Sequence, residues 1–374
     1  MSAYLSGSYE ELAVQARNHL RNNEYEQARA IYERIYNRLN NLKADTIARR
    51  PNLQQLKLSS LRMLGDLATF QGNYDQAISY YETGLAVDPE ESLMYRRAIA
   101  QAKIDRGDVE AGLDELRALA VMNAGDALPW VWLALELWAQ NNTDEAIENL
   151  QRATTLSTVD PLHRSEAFSY LHDIYREQNK LDQAEEAWKQ AWQVMGQNME
   201  DVSPLYQMYY EAGQLGKAQQ RLKQEKNPLR AGFYRGLFAQ ADGAEQRARS
   251  AWEKTAKENP LKYQSGHEAW AEAALRVNHP PQAIIRALRD VNSREMLNIR
   301  GTILLAVALA RNGQVDGAGR ALQAAVDINR RARPPQDLLS SSHWDLFDEL
   351  VNDEAAKETL KEYFEQEEVG GSQE

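Results

Sequence analysis

Apolar positions along this chain keep a fixed register around single Gly or Asn residues. These punctuating residues are Asn23, Gly72, Gly107, Asn141, Asn179, Gly213, Gly243, Asn278 and Gly313. Five positions after each comes a small residue: Ala28, Ala77, Gly112, Ala146, Ala184, Ala218, Ala248, Ala283 and Ala318. Twelve before that residue lies a second position: Ala16, Gly65, Ala100, Ala134, His172, Tyr206, Gly236, Ala271 and Ala306, small in seven of nine cases. Four after it comes a filler: Tyr32, Tyr81, Leu116, Leu150, Trp188, Leu222, Trp252, Ala287 and Leu322, large in eight of nine. The small residues recur at spacings of 49, 35, 34, 38, 34, 30, 35 and 35.

Gly and Asn enter the left-handed backbone conformation that ends a helix. A small residue lets two helices approach closely where they cross, and a spacing of four keeps it on one face with its filler. The pattern therefore predicts nine helical hairpins over residues 9–332, closing near 36, 91, 126, 161, 198, 228, 262, 297 and 332. Residues 1–8 form an N-terminal extension, 333–366 read as an acidic capping helix, and 367–374 as a disordered tail. The first gap of 49 holds extra residues near Asn37 to Asn52, with Arg49-Arg50-Pro51 as a break. The gap of 30 predicts a shortened second helix around Gln220 to Pro228. His172 and Tyr206 stand where small residues belong, which predicts looser packing there. Pro280-Pro281 fits the first turn of a helix.

Residues 58–91, LSSLRMLGDLATFQGNYDQAISYYETGLAVDPEE, carry Leu64, Gly65, Gly72, Tyr74, Ala77, Tyr81 and Pro89. In these positions the chain resembles the tetratricopeptide repeat (TPR) superfamily, whose unit is a helix–turn–helix of about 34 residues. The resemblance implies an all-α, right-handed α-solenoid of about nine hairpins plus a C-terminal capping helix. It also implies a groove lined by the first helix of each repeat. By position the groove receives Arg62, Asp66 and Phe70 from repeat two, Met94, Arg97, Gln101 and Ile104 from repeat three, Val131, Leu135 and Trp138 from repeat four, and Ser169, Asp173 and Arg176 from repeat five. The first helix of repeat four, PWVWLALELWAQ, is apolar nearly all round, which leaves Val131, Trp132, Leu135 and Trp138 surplus to the family's core positions. Either neighbouring helices or a partner must cover them. The groove position at which chaperone-binding relatives carry Asn reads Arg17, Asp66, Gln101, Leu135, Asp173, Gln207, Leu237, Glu272 and Val307, so their carboxylate clamp is not expected here.

Enzyme motifs do not emerge. There is no phosphate-binding Gly-rich loop, nucleophile elbow or zinc-protease helix. Ser265-Gly266-His267-Glu268 reads as a helix start with Ser as cap, and Glu185-Glu186 as a solvated helix face. With no cysteine among 374 residues, disulfides and thiolate chemistry are excluded, which fits a cytoplasmic setting. The first twenty residues lack a signal-peptide pattern, and no apolar run reaches the roughly 18 residues of a membrane span. A net charge of -12 argues against nucleic acid as the main partner. The charge is uneven: from Asp345 onward the chain carries -9, whereas Arg286 to Arg333 carries +5. This predicts that the tail docks on Arg294, Arg300, Arg311 and Arg320, anchored by Trp344 and Phe347 with Leu350 beside them. The expected function is a non-catalytic, cofactor-free and metal-free scaffold for a protein or peptide, with self-association as a further mode. The alternative is a regulatory subunit or sensor whose acidic tail modulates access to the solenoid.

Because repeats contact mainly their neighbours, unfolding should depart from a single two-state step. Far-UV dichroism and tryptophan fluorescence followed in the same urea titration should give non-coincident transitions. Coincident curves, or measurable strand content, would contradict the repeat reading.

Overall fold

The computed structural model describes residues 9–21, 24–87, 92–156, 161–196, 201–294, 297–330 and 342–365. Asn23, Pro89, the extension 1–8, residues 333–341 of the capping segment and the tail 367–374 lie outside the described residues. Among the described residues the regular structure is helical, without strands. No described helix is long and apolar enough to cross a membrane.

The left-handed turn dictates the hairpin. Eight of the nine punctuating residues have positive φ, between 55° and 107°. Gly72 closes α4 (Pro51–Phe70) and opens α5 (Tyr74–Val87). The Gly72 N–H donates to Thr69 O at 3.0 Å and the Asn73 N–H to Ala68 O at 2.8 Å, so the last carbonyls of α4 are satisfied from beyond its end. Asn73 then serves a second time: its own carbonyl accepts the first bond of α5, from Ala77 N at 3.0 Å. The spacing of five thus has a mechanical origin. One residue lies between turn and helix, and the first residue bonded back to it must be small. The same device recurs at Asp108, Lys180, Gln214, Ala244 and Gln314, each donating to a carbonyl five residues back at 2.8–2.9 Å, whereas His279 makes that bond at 2.8 Å but leaves the next helix's first bond to Pro280 O.

Two compact bodies result, Met1–Leu137 with Asp144–His163, and Trp138–Thr143 with Arg164–Glu374. The first contains the hairpins α1 (Tyr9–Arg21)/α2 (Tyr25–Asn40), α4/α5, α6 (Ser92–Arg106)/α7 (Val109–Met122) and most of α8 (Ala127–Ala139)/α9 (Thr143–Thr155). The extra residues of the first gap form a short α3 (Ala44–Ala48), and Pro51 starts a twenty-residue α4. The second body contains α10 (Pro161–Glu177)/α11 (Leu181–Val194), α12 (Ser203–Glu211)/α13 (Leu215–Leu222), α14 (Pro228–Ala241)/α15 (Glu245–Ala256), α16 (His267–Arg276)/α17 (Pro281–Arg294) and α18 (Ile299–Arg311)/α19 (Val315–Arg330). After these come α20 (Ser342–Leu350) and α21 (Glu354–Glu365). The single capping helix expected over 333–366 is therefore broken at 351–353, where Asp353 caps α21 by accepting from Ala355 N and Ala356 N.

Crossings follow the small–filler rule. A Cβ built on Gly65 would sit 2.3 Å from the Tyr81 ring, and one on Gly236 would sit 2.2 Å from Trp252 Nε1. One repeat departs by a residue. After His279, Pro280 and Pro281 delay the helix start, so Ala283 is exposed and Ile284 takes the crossing fully buried. Four on, Leu288 rather than Ala287 is the fully buried filler, which accounts for the one small residue in that column.

The expected loosening at His172 and Tyr206 does not occur. His172 is buried, with Nδ1 2.9 Å from the Ala184 carbonyl, and burial holds its pKa down, so the neutral ring donates. Tyr206 is fully buried and donates to Glu225 Oε2 at 3.0 Å. Helix α13 has only eight residues, and Glu225 beyond its end lies under Tyr206. Glu185 is also buried rather than solvated. Arg221 and Lys189 ion-pair with it and Tyr209 donates to it at 2.6 Å.

Ala248→Leu should destabilise the protein by about 1–3 kcal/mol through overpacking at a crossing. Ala283→Leu should stay within about 0.5 kcal/mol, because that position faces solvent. Urea midpoints at constant m-value measure both, and equal losses would disprove the one-residue shift.

Candidate functional site

In the first body, the first helices α4, α6 and α8 present a common row. Arg62, Asp66 and Phe70 stand exposed on α4, Phe70 with 36% of its surface open and its ring 4.6 Å from that of Tyr25. Asp66 accepts from Tyr81 Oη at 2.8 Å. Surrounding protein pushes its carboxyl upward, against the opposing effects of that bond and of Arg62. Met94 on α6 is 41% exposed, and Leu128 and Leu135 on α8 are half-buried. Arg97 lays its guanidinium 4.6 Å above the Trp132 ring, and Gln101 donates to Asp105 at 3.0 Å and to Glu136 at 3.5 Å.

Three of the predicted groove residues are covered by the chain itself, Ile104 among them at 7% exposed. Val131 and Trp132 are 2% and 7% exposed, so neither is open to a partner. The all-round apolar α8 is shielded partly by cations: Arg97 from α6 covers Trp132, and Arg152 from α9 lies 4.0 Å over Trp130. In the second body, Trp138 is half-buried and donates from Nε1 to Glu177 Oε2 at 3.1 Å. Asp173 and Arg176 are half-buried on α10, and burial raises the Asp173 carboxyl against the pull of Arg176.

The second body also holds a polar row that the repeat pattern alone does not reveal. Glu272 on α16, 1% exposed, is bridged by two guanidiniums. Arg276 donates to it through Nε at 3.1 Å and Nη2 at 2.9 Å, and Arg300 of α18 donates from the other side. Arg276 also grips Glu349 of α20 through two bonds of 2.7 and 3.0 Å. Next to Arg300 opens a cavity of about 210 Å³ lined by Gln207, Arg230, Tyr234, His267 and Glu268, with an apolar wall of Phe233, Val291 and Leu297. Burial pushes the Glu268 carboxyl up, opposed by Arg300, His267 and Arg230. Burial likewise raises the Tyr234 hydroxyl. Gly266, at φ 85°, caps α16 in place of Ser265. The available signal was Glu272 at a groove position with Arg276 four residues on.

The tail packs on α18 through the expected apolar residues and Arg311, but not through the other expected arginines. Phe347 is fully buried and Leu350 is 3% exposed, in one core cluster with α18, while Trp344 stacks on Phe347 with ring centres 5.9 Å apart. Arg311 holds the α20 terminus by donating to Leu350 O, and it also donates to Leu275 O at 2.7 Å. The other three arginines make no hydrogen bond or ion pair to the tail among the described residues. Arg294 pairs with Asp290 at 2.7 Å, Arg300 with Glu272, and Arg320 stands exposed on α19. The charge contact to the tail comes instead from Arg276.

Two tetratricopeptide repeat family models match the chain, at residues 60–93 and 97–161. The chain carries tetratricopeptide repeats. The human Protein O-mannosyl-transferase TMTC1 is 28% identical over 167 residues, a match covering 41% of this chain and 19% of that protein. The chain therefore spans about a fifth of the curated relative it matches. A Pseudomonas aeruginosa PilF structure is 20% identical and covers 56% of this chain and 96% of its own, at a TM-score of 0.39. The BtubC structure from P. vanneervenii is 14% identical, with 64% and 96% covered, at a TM-score of 0.40. In TPR terms, α20 and α21 follow the last repeat and cover α18 and α19, and a Cβ on Gly319 would sit 2.6 Å from Tyr363 Oη of α21.

Phe347→Ala should weaken tail docking by about 3–5 kcal/mol, the usual cost of emptying a buried aromatic site. Glu349→Gln should cost about 1 kcal/mol or less, because that carboxylate is half exposed. Native-state hydrogen exchange of α18 amides measures both, and the reverse ranking would show that charge holds the tail.

Proposed function

We propose that the chain is a non-catalytic protein–protein interaction scaffold that binds an apolar segment with an acidic flank. The observation that carries this reading is the first-helix row of the first body. Exposed Phe70 and Met94 and half-buried Leu135 stand on these first helices, which also carry the cations Arg62 and Arg97. Apolar side chains left open to solvent bind by burial, while guanidiniums on the same helices select acidic neighbours. TPR repeats generally mediate protein contacts, which supports the class of function and leaves the partner to chemistry. Neither nucleic acid nor membrane insertion belongs to this reading. A second reading has its own support. The acidic tail covers the first helix of the last repeat and engages Arg276, so tail release would change what that body presents.

The test is affinity capture with wild type and with Arg62→Ala/Met94→Ala/Arg97→Ala. Partner binding should weaken by about 2 kcal/mol or more if these are anchor residues. If the variant remains folded and captures the same proteins equally well, the binding face lies elsewhere.

A further inference from the structure

The bridge at Glu272 has two halves that differ in one respect. On one side Arg276 spends its outer edge on the carboxylate of Glu349, in a two-bond grip of 2.7 and 3.0 Å. On the other side Arg300 is fixed by the same Glu272 and borders the 210 Å³ cavity, with no further hydrogen-bond acceptor among the described residues. Arg230 borders the same cavity. Its Nε lies 3.1 Å from Glu225 Oε2 and its Nη1 lies 3.6 Å from Asp201 Oδ2. Tyr234 accepts from Gln207 Nε2 at 2.6 Å, which leaves its own O–H to donate. Glu268 lies in the field of both guanidiniums without an ion pair to either among the described residues. The cavity is therefore lined by two guanidiniums and a phenol O–H on side chains already held in place.

We infer that this cavity binds a carboxylate of an acidic peptide segment from a partner protein, gripped by Arg300 and Arg230 and hydrogen-bonded by the Tyr234 hydroxyl. The chain supplies the precedent in Glu349, whose carboxylate the sister half of the same bridge holds. A monoanion fits better than a phosphate dianion, because Glu268 and Glu272 border the site and repel each added negative charge. The wall of Phe233, Val291 and Leu297 calls for an apolar residue next to the acidic one. The sequence Asp348-Glu349-Leu350 of the tail has that composition. This inference rests on the scaffold reading and adds a second contact point to it, in the other body.

The experiment uses the full chain and three short labelled peptides with a Phe-Asp-Glu-Leu core, its Phe-Asn-Gln-Leu counterpart, and a phosphoserine version. Fluorescence anisotropy should show the acidic peptide binding at least tenfold more tightly than the amide counterpart. Arg300→Gln and Arg230→Gln should each weaken it about tenfold and Tyr234→Phe about threefold. Arg320→Gln, at an exposed arginine of α19 away from the cavity lining, should leave it unchanged. Tyr234→Phe removes one hydroxyl only, so it reports on the site even if an arginine variant misfolds. Equal binding of acidic and amide peptides, or indifference to Tyr234→Phe and Arg230→Gln, overturns the proposal. Tighter binding of the phosphoserine peptide overturns the carboxylate assignment. If these peptides fail while partner capture still depends on Arg62, Met94 and Arg97, this site falls and the scaffold reading stands. If the peptides bind but capture ignores those residues, the first-body face falls instead.

Discussion

The hydrogen bond from the residue after each left-handed turn to the carbonyl five residues back is what the rest of the structure depends on. It satisfies the end of one helix and, through the same residue, starts the next. With only one residue between them, the two helices must fold back at close range. Close range in turn demands a small residue at the crossing and a large one beside it, as Gly65 with Tyr81 and Gly236 with Trp252 show. Where Pro280 and Pro281 add a residue after the turn, the crossing moves from Ala283 to Ile284 and the filler from Ala287 to Leu288. The rule is thus mechanical, a consequence of where the second helix begins.

Helices α8 and α18 pose the opposite problem, since a helix apolar on every side needs cover on every side. Their covers differ. Guanidiniums from neighbouring helices roof two tryptophans of α8, keeping their charge toward water while their stems shield the rings. For α18, buried from Gly301 through Ala310, the chain supplies its own cover in α20, with Phe347 and Leu350 as the apolar contact and Arg311 and Arg276 fixing its end.

Where the small–large rule lapses, buried carboxylates take over as joints. Glu225 sits beneath Tyr206 and beside Arg230, Glu185 ties Tyr209, Lys189 and Arg221 together, and Glu272 joins Arg276 to Arg300. Each is buried with cations and hydroxyls around it, the condition under which a buried charge is tolerated. Such joints fix direction as well as distance, and at Glu272 one carboxylate holds two arginines, of which Arg276 also reaches Glu349.

The sequence by itself determined the hairpins, their number and their turns, because left-handed residues, small crossings and fillers are local demands that each repeat must meet. It also determined that the tail needs an apolar anchor, since Trp344, Phe347 and Leu350 share one helical face. Only the tertiary structure decided which side chains remain open. Val131 and Trp132 look surplus along the chain yet are covered, since cover comes from residues such as Arg97, 35 positions away from Trp132. Charge pairing was decided there too. The count of arginines near the tail pointed to Arg294, Arg300 and Arg320, but Arg300 is committed to Glu272 across 28 residues and Arg276 reaches Glu349 across 73. A repeat register fixes which face of a helix a residue occupies. Which partner a long charged side chain finds depends on what the fold brings within hydrogen-bonding distance of its tip.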